Sequence, residues 1–114
     1  MAKHIVVSKF VTAGDMSGDF TSNAIDCRYM DNAAIQCVWT GSDAVGVMVI
    51  SGSVDGVNYT PLTFSSSLAV TGTADSLLVE LNQTGCAWLK VMFDFTSGTQ
   101  GLMDVWVCMK DLSS

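Results

Sequence analysis

Apolar residues in this chain recur at every second position, and helical spacing is almost absent. A period of two puts successive side chains on opposite faces of a sheet, which restricts the chain to strands. The pattern is clearest in residues 87–109, which read AWLKVMFDF, then a Thr-Ser-Gly-Thr-Gln-Gly turn region, then LMDVWVCM. Leu89, Val91, Phe93 and Phe95 share one face of the first arm, and Met103, Val105, Val107 and Met109 share one face of the second. Read as a hairpin, Phe95 pairs with Met103, Phe93 with Val105, Val91 with Val107 and Leu89 with Met109. The opposite face then carries Trp88, Met92, Leu102, Trp106 and Cys108 beside Lys90, Asp94 and Asp104. A small domain has one core to fill, so this second apolar face predicts a cover, either a second layer or another chain.

Ten glycines, a single proline and abundant Val, Ser and Thr predict an all-β domain with turns about every ten residues. Strands are expected near residues 3–12, 20–27, 33–40, 45–53, 57–64, 67–71, 76–81, 87–95 and 102–110. At 114 residues the chain is expected to form one domain, 1–114. The expected architecture is an antiparallel, jelly-roll-like β-sandwich of eight or nine strands rather than a closed barrel. Residues 1–18 are read as an N-terminal strand or arm and 111–114 as a loose tail. Val54-Asp55-Gly56-Val57 has the sequence of a two-residue type I′ turn. That register places Tyr59 over Gly52, where an aromatic ring covers exposed backbone. Pro61 cannot donate to a ladder, which predicts an edge strand.

Charge limits the function classes. The net charge of −6, with five basic residues scattered along the sequence, argues against nucleic acid and against an anionic membrane surface. Charged residues make up 14% of the chain against about 25% in a typical domain, which fits a subunit that hides much of its surface. No apolar run approaches the ~20 residues of a membrane helix, and no signal peptide is visible. Synthesis in a reducing cytosol then leaves Cys27, Cys37, Cys86 and Cys108 as free thiols acting as small hydrophobes.

No catalytic constellation is apparent. His4 is the only histidine, and no nucleophile-elbow motif is present, so neither Ser nor Cys nucleophilic catalysis has its base. Asp94 and Asp104 oppose each other in the hairpin register, and the reading preferred for them is solvated charge. Asp15, Asp19, Asp26 and Asp31 match no calcium-loop spacing, and the cysteines show no zinc spacing. The expectation is therefore no metal, no cofactor and no enzyme activity. Trp88, Trp106 and Tyr59, with nearby Asp residues, form the alternative: a carbohydrate-binding β-sandwich module. The same aromatics are favoured as anchors in protein interfaces. The interface candidates are Trp88, Met92, Leu102, Trp106 and Cys108. Lys3, His4 and Lys9 join them as basic residues in an otherwise acidic chain.

Two segments, SGSVDGVNYTPL at 51–62 and AWLKVMFDFTSGTQGLMDVWV at 87–107, together resemble small all-β virion proteins of tailed bacteriophages. Such proteins serve as head decoration, head-fibre or tail accessory subunits. The resemblance covers roughly the last two thirds of the chain, from about Ala33 onward. It implies a non-enzymatic structural protein, made in the host cytoplasm and located in the virion, that binds the phage major capsid protein or another virion protein. It also implies a homo-oligomer, with a trimer favoured by resemblance to decoration proteins.

Overall fold

A computed structural model describes residues 4–28, 30–64, 66–81 and 86–111. Ten strands follow one another: β1 (His4–Asp15), β2 (Phe20–Thr21), β3 (Ile25–Asp26), β4 (Asn32–Thr40), β5 (Val45–Ser53), β6 (Thr60–Pro61), β7 (Ala69–Val70), β8 (Asp75–Leu81), β9 (Trp88–Ser97) and β10 (Leu102–Asp111). They form two antiparallel sheets, one ordered β1-β10-β4-β8 and the other β2-β9-β5-β6, with β3 also on β9 and β7 also on β5. Counting β2/β3 and β6/β7 as one interrupted strand each leaves eight strands. Their order is first-eighth-third-sixth in one sheet and second-seventh-fourth-fifth in the other, which is the jelly-roll topology. The fold expected from the alternating pattern is the fold observed.

Alternation decides which side chains the sandwich buries. Ala33, Ile35, Cys37 and Trp39 of β4 point inward, while Ala34, Gln36 and Val38 face out. Leu89, Val91 and Phe93 of β9 and Met103, Val105 and Val107 of β10 are fully buried. Each such side chain contributes about 1.5–3 kcal/mol relative to exposure. Phe93 also takes Phe20 at 5.5 Å and Phe95 at 6.4 Å between ring centroids.

The last two strands do not form a hairpin. β9 pairs with β5 and with β2 and β3, whereas β10 pairs with β1 and β4. Phe93 sits opposite Met48 and Phe20, and Val105 opposite Val11 and Cys37. The expected pairs thus belong to opposite sheets instead of lying side by side. The inward assignment survives because an arch between sheets and a hairpin within one sheet demand the same alternation. Gly98 (φ 127°) and Gly101 (φ 144°) supply the backbone for this arch. A Cβ on Gly98 would collide with the Ala44 main chain. The link between β4 and β5 also changes sheets, and its Asp43 holds the two arches together. Its carboxylate accepts the amides of Thr99 and Gln100 at 2.8 and 2.9 Å and the Thr99 hydroxyl at 2.7 Å.

Two other readings shift. Gly52 pairs with Thr60, not Tyr59, because residues 54–59 form a longer loop than a two-residue turn. Asp55 organises that loop by accepting the Val57 and Asn58 amides and the Asn58 side-chain amide at 2.7–2.8 Å. Cys86, not Tyr59, fills the space above Gly52. The expected strand 20–27 is interrupted at Ser22, whose Oγ accepts the Val91 amide at 3.0 Å while its own amide donates to the Val91 carbonyl. Pro61 does lie on an edge strand, as its missing donor requires.

Candidate interaction surface

The outer face of the four-stranded sheet carries neighbouring apolar side chains with no layer of the described residues over them. Two rows of cross-strand partners define it. One row runs Val7, Cys108, Ala34, Glu80, and the next runs Lys9, Trp106, Gln36, Leu78. Val7 is 62% exposed, Leu78 59% and Trp106 40%. Isolated apolar residues on a surface need no explanation, whereas a contiguous set on adjacent strands makes this face a candidate interaction site. A shallow depression of about 230 Å³ lies among Val7, Ala34, Leu78, Trp106 and Cys108. A second, of about 170 Å³, adjoins it at Asn32, Glu80, Cys108 and Lys110, giving the apolar surface a polar margin.

Trp106 is held in place by its neighbours. Lys9 Nζ sits 5.1 Å from the indole centroid, and the same ammonium pairs with Asp104 Oδ1 at 3.3 Å. Asp104 also accepts the Ala13 amide at 2.8 Å. Ala13 has φ 50° in the irregular part of β1, where the register against β10 shifts. The Ala13 amide and then Lys9 hold the Asp104 carboxyl below its ordinary range. An aromatic side chain oriented in this way is ordered before any partner arrives, which lowers the entropy lost on binding.

The expected interface residues fall on two surfaces. Trp106, Cys108, Lys9 and Leu102 lie on the outer face of the four-stranded sheet, although Leu102, 54% exposed, is set apart from Trp106 by Asp104. Trp88 and Met92 lie on the outer face of the other sheet, beside Asp26 and Ser53 and beside Thr21 and Val49 respectively. Reading the last two strands as one hairpin predicts one continuous patch; their place in different sheets separates its members. His4 opens β1 opposite Asp111. Lys3 lies outside the described residues. Ile5, Val7, Ala34 and Leu78 belong to the surface and were not among the expected residues. The available signal was a break in alternation: Ile5-Val6-Val7 and Leu77-Leu78-Val79 are apolar on both faces.

The aromatics expected for sugar binding are dispersed. Trp88 and Tyr59 are on the side away from Trp106, and a cation lies over each ring: Arg28 over Trp88 at 4.7 Å, Lys90 over Tyr59 at 4.4 Å and Lys9 over Trp106. Asp94 and Asp104 sit in different sheets and do not oppose each other. No group of three or more His, Cys, Asp or Glu able to hold a metal occurs among the described residues. Asp15, Asp19 and Asp26 are used separately, accepting from the Ser17 amide, the Phe95 amide and the Arg28 guanidinium. Arg28 holds Asp26 at a pKa of about 2. All four cysteines are free. Burial pushes the Cys37 thiol to about 12 and Cys27 to about 11.

No protein-family model matches this chain, and no curated protein matches it. Among solved structures it is similar to the SPBc2 prophage-derived protein YomS, at 14% identity and TM-score 0.64 over 96% of both chains. It is similar to the coat protein of Tobacco streak virus, solved as a dimer, at 11% identity and TM-score 0.53, covering 98% of this chain and 87% of that one. It is also similar to the enzymatically active domain of bacteriophage CBA120 tailspike protein 4, at 13% identity and TM-score 0.51. That match covers 97% of this chain but 18% of the tailspike, so the chain spans a small part of that protein. At these identities the likeness is one of fold.

Proposed function

We propose that this chain is a non-enzymatic structural protein of a bacteriophage virion, a capsid decoration or accessory subunit that self-associates and binds the particle surface. The observation that carries this reading is the apolar surface centred on Trp106, presented on the outer face of the four-stranded sheet. Its mechanism is removal of apolar area from water, about 25 cal/mol per Å² before the costs of association. Trp106 is the central anchor, Val7, Ala34, Leu78 and Cys108 surround it, and Lys9 and Lys110 lie at its margin. The partner is the major capsid protein or another virion protein. The sharing of this fold with a prophage-derived protein and a viral coat protein supports the reading.

The test is mass spectrometry and co-sedimentation of purified particles made from the genome that encodes this chain. The protein is expected in the particle, and Trp106→Ser is expected to lower its occupancy at least tenfold while leaving the purified protein folded. Absence of the chain from particles sinks the virion reading. Full occupancy of Trp106→Ser sinks the assignment of this face.

A further inference from the structure

The two sheets treat their edges differently. The six-stranded sheet ends in two-residue strands, with Pro61 at one side and the Ser22 interruption at the other. Short strands and proline are devices that stop an edge from recruiting another strand. The four-stranded sheet has neither, and the register shifts of β1 fall after Lys9, leaving residues 4–9 a regular edge. Its edges are the 12-residue β1 and the seven-residue β8. Each contains an apolar triplet, Ile5-Val6-Val7 and Leu77-Leu78-Val79, and no proline. Ile5 is 64% exposed.

We propose that these two edges join copies of this chain head to tail, with β1 of one copy adding to β8 of the next as an antiparallel strand. Strand direction permits this without rearrangement. The order β1-β10-β4-β8 is antiparallel throughout, so β8 runs opposite to β1. A second copy in the same orientation therefore presents β1 antiparallel to β8, with both outer faces on the same side. Charge argues against a two-fold pairing through β8. β1 carries Lys9 and, at its last residue, Asp15, whereas β8 carries Asp75 and Glu80 and no base. Pairing β8 with β8 brings two acidic strands together, which is unfavourable. Pairing β1 with β8 instead lays the strand that carries Lys9 beside the acidic one. Ile5 and Val7 then come beside Leu78 of the next copy, covering side chains that are otherwise more than half exposed. The interface is heterologous, so it closes into a ring where the rotation permits and extends as a filament where it does not. The trimer implied by the resemblance to decoration proteins is one such ring. The inference rests on the self-association in the reading above and concerns the edges of the sheet, whose Val7 and Leu78 also border the Trp106 face.

Sedimentation velocity on the purified full chain tests it, with Ile5→Glu blocking the β1 edge and Leu78→Glu the β8 edge. Both positions are exposed, and circular dichroism and thermal melting check that the variants fold. The wild-type protein is expected to self-associate and each single variant to be monomeric. An equimolar mixture is expected to form a 1:1 heterodimer and no larger species, because only one intact edge of each kind remains. A monomeric wild-type protein overturns the proposal, as does a mixture of folded variants that stays monomeric. Leu78→Glu remaining a dimer indicates β1–β1 pairing and also overturns it. Trp106→Ser separates the two readings: retained self-association with lost particle binding supports both. Retained self-association with retained particle binding removes the face and leaves the edges.

Discussion

Asp43 receives both the amide and the hydroxyl of Thr99, at 2.8 and 2.7 Å, and so ties the β9–β10 arch to the β4–β5 arch. Asp43→Ala is expected to lower the thermal midpoint by several degrees, and Thr99→Ala, which keeps the amide donor, by less. These hydrogen bonds, led by the Thr99 amide, hold the Asp43 carboxyl below its ordinary value. A depressed folded-state pKa stabilises the protein above the unfolded-state value, and that stabilisation is lost as pH falls through the folded one. Asp26 behaves alike, between the ordinary 3.8 and about 2. Acid titration followed by circular dichroism should show the wild-type protein losing stability in this range, with Asp43→Ala losing less between neutral and acid pH.

Gly52 and Cys86 should be energetically coupled. A Cβ on Gly52 would strike the Cys86 Sγ. Overpacking of this kind costs about 1–3 kcal/mol. Gly52→Ala is expected to destabilise by that amount in urea melts. In the double variant with Cys86→Ala the penalty should shrink, giving a non-additive cycle. Additive effects would mean that Cys86 is not what occupies the space.

Phe93→Ala, which removes a fully buried ring, should cost about 3–5 kcal/mol of unfolding free energy. Trp106→Ala should cost much less in the free protein, because the indole is 40% exposed. Chemical denaturation of both variants checks the contrast. Equal losses would mean that Trp106 is part of the core.

Thiol chemistry should separate the cysteines. Cys27 and Cys37 are buried and their pKa values raised, so they should be inert to an aromatic disulfide reagent in the folded protein. Cys86 and Cys108 are half-buried and should react first. Cys108 lies within the apolar surface, so particle-bound protein should show slower modification at that site. Mass-mapped labelling time courses provide the measurement.

The facing of side chains was legible in the sequence, but their pairing was not. Phe93 and Val105 both point inward as their alternation requires, yet they belong to opposite sheets. Alternation reports which side of a strand meets the core and carries no information on which strand lies beside it. That ambiguity moved Trp88 away from Trp106. The Asp55-Gly56 turn shifted its register for a local reason: the Asp55 carboxylate gathers a longer loop than the dipeptide alone implies. The edge residues Ile5, Val7 and Leu78 were overlooked because a triplet of apolar residues reads equally well as a strand buried on both faces.

The position of β10 between β1 and β4 has a kinetic consequence. The first strand of the chain cannot pair until the last has been synthesised, and β4 likewise lacks one neighbour until then. Among the described residues, β5 with β6 is the one pairing between strands that follow each other directly in sequence. Topologies dominated by such distant pairings fold in milliseconds to seconds, not microseconds. During translation β1 must therefore wait, unpaired, until β10 has left the ribosome, although β5, β6, β7 and β9 can already pair. A chain interrupted before Leu102 should be a chaperone client or a proteolytic substrate rather than a smaller sandwich.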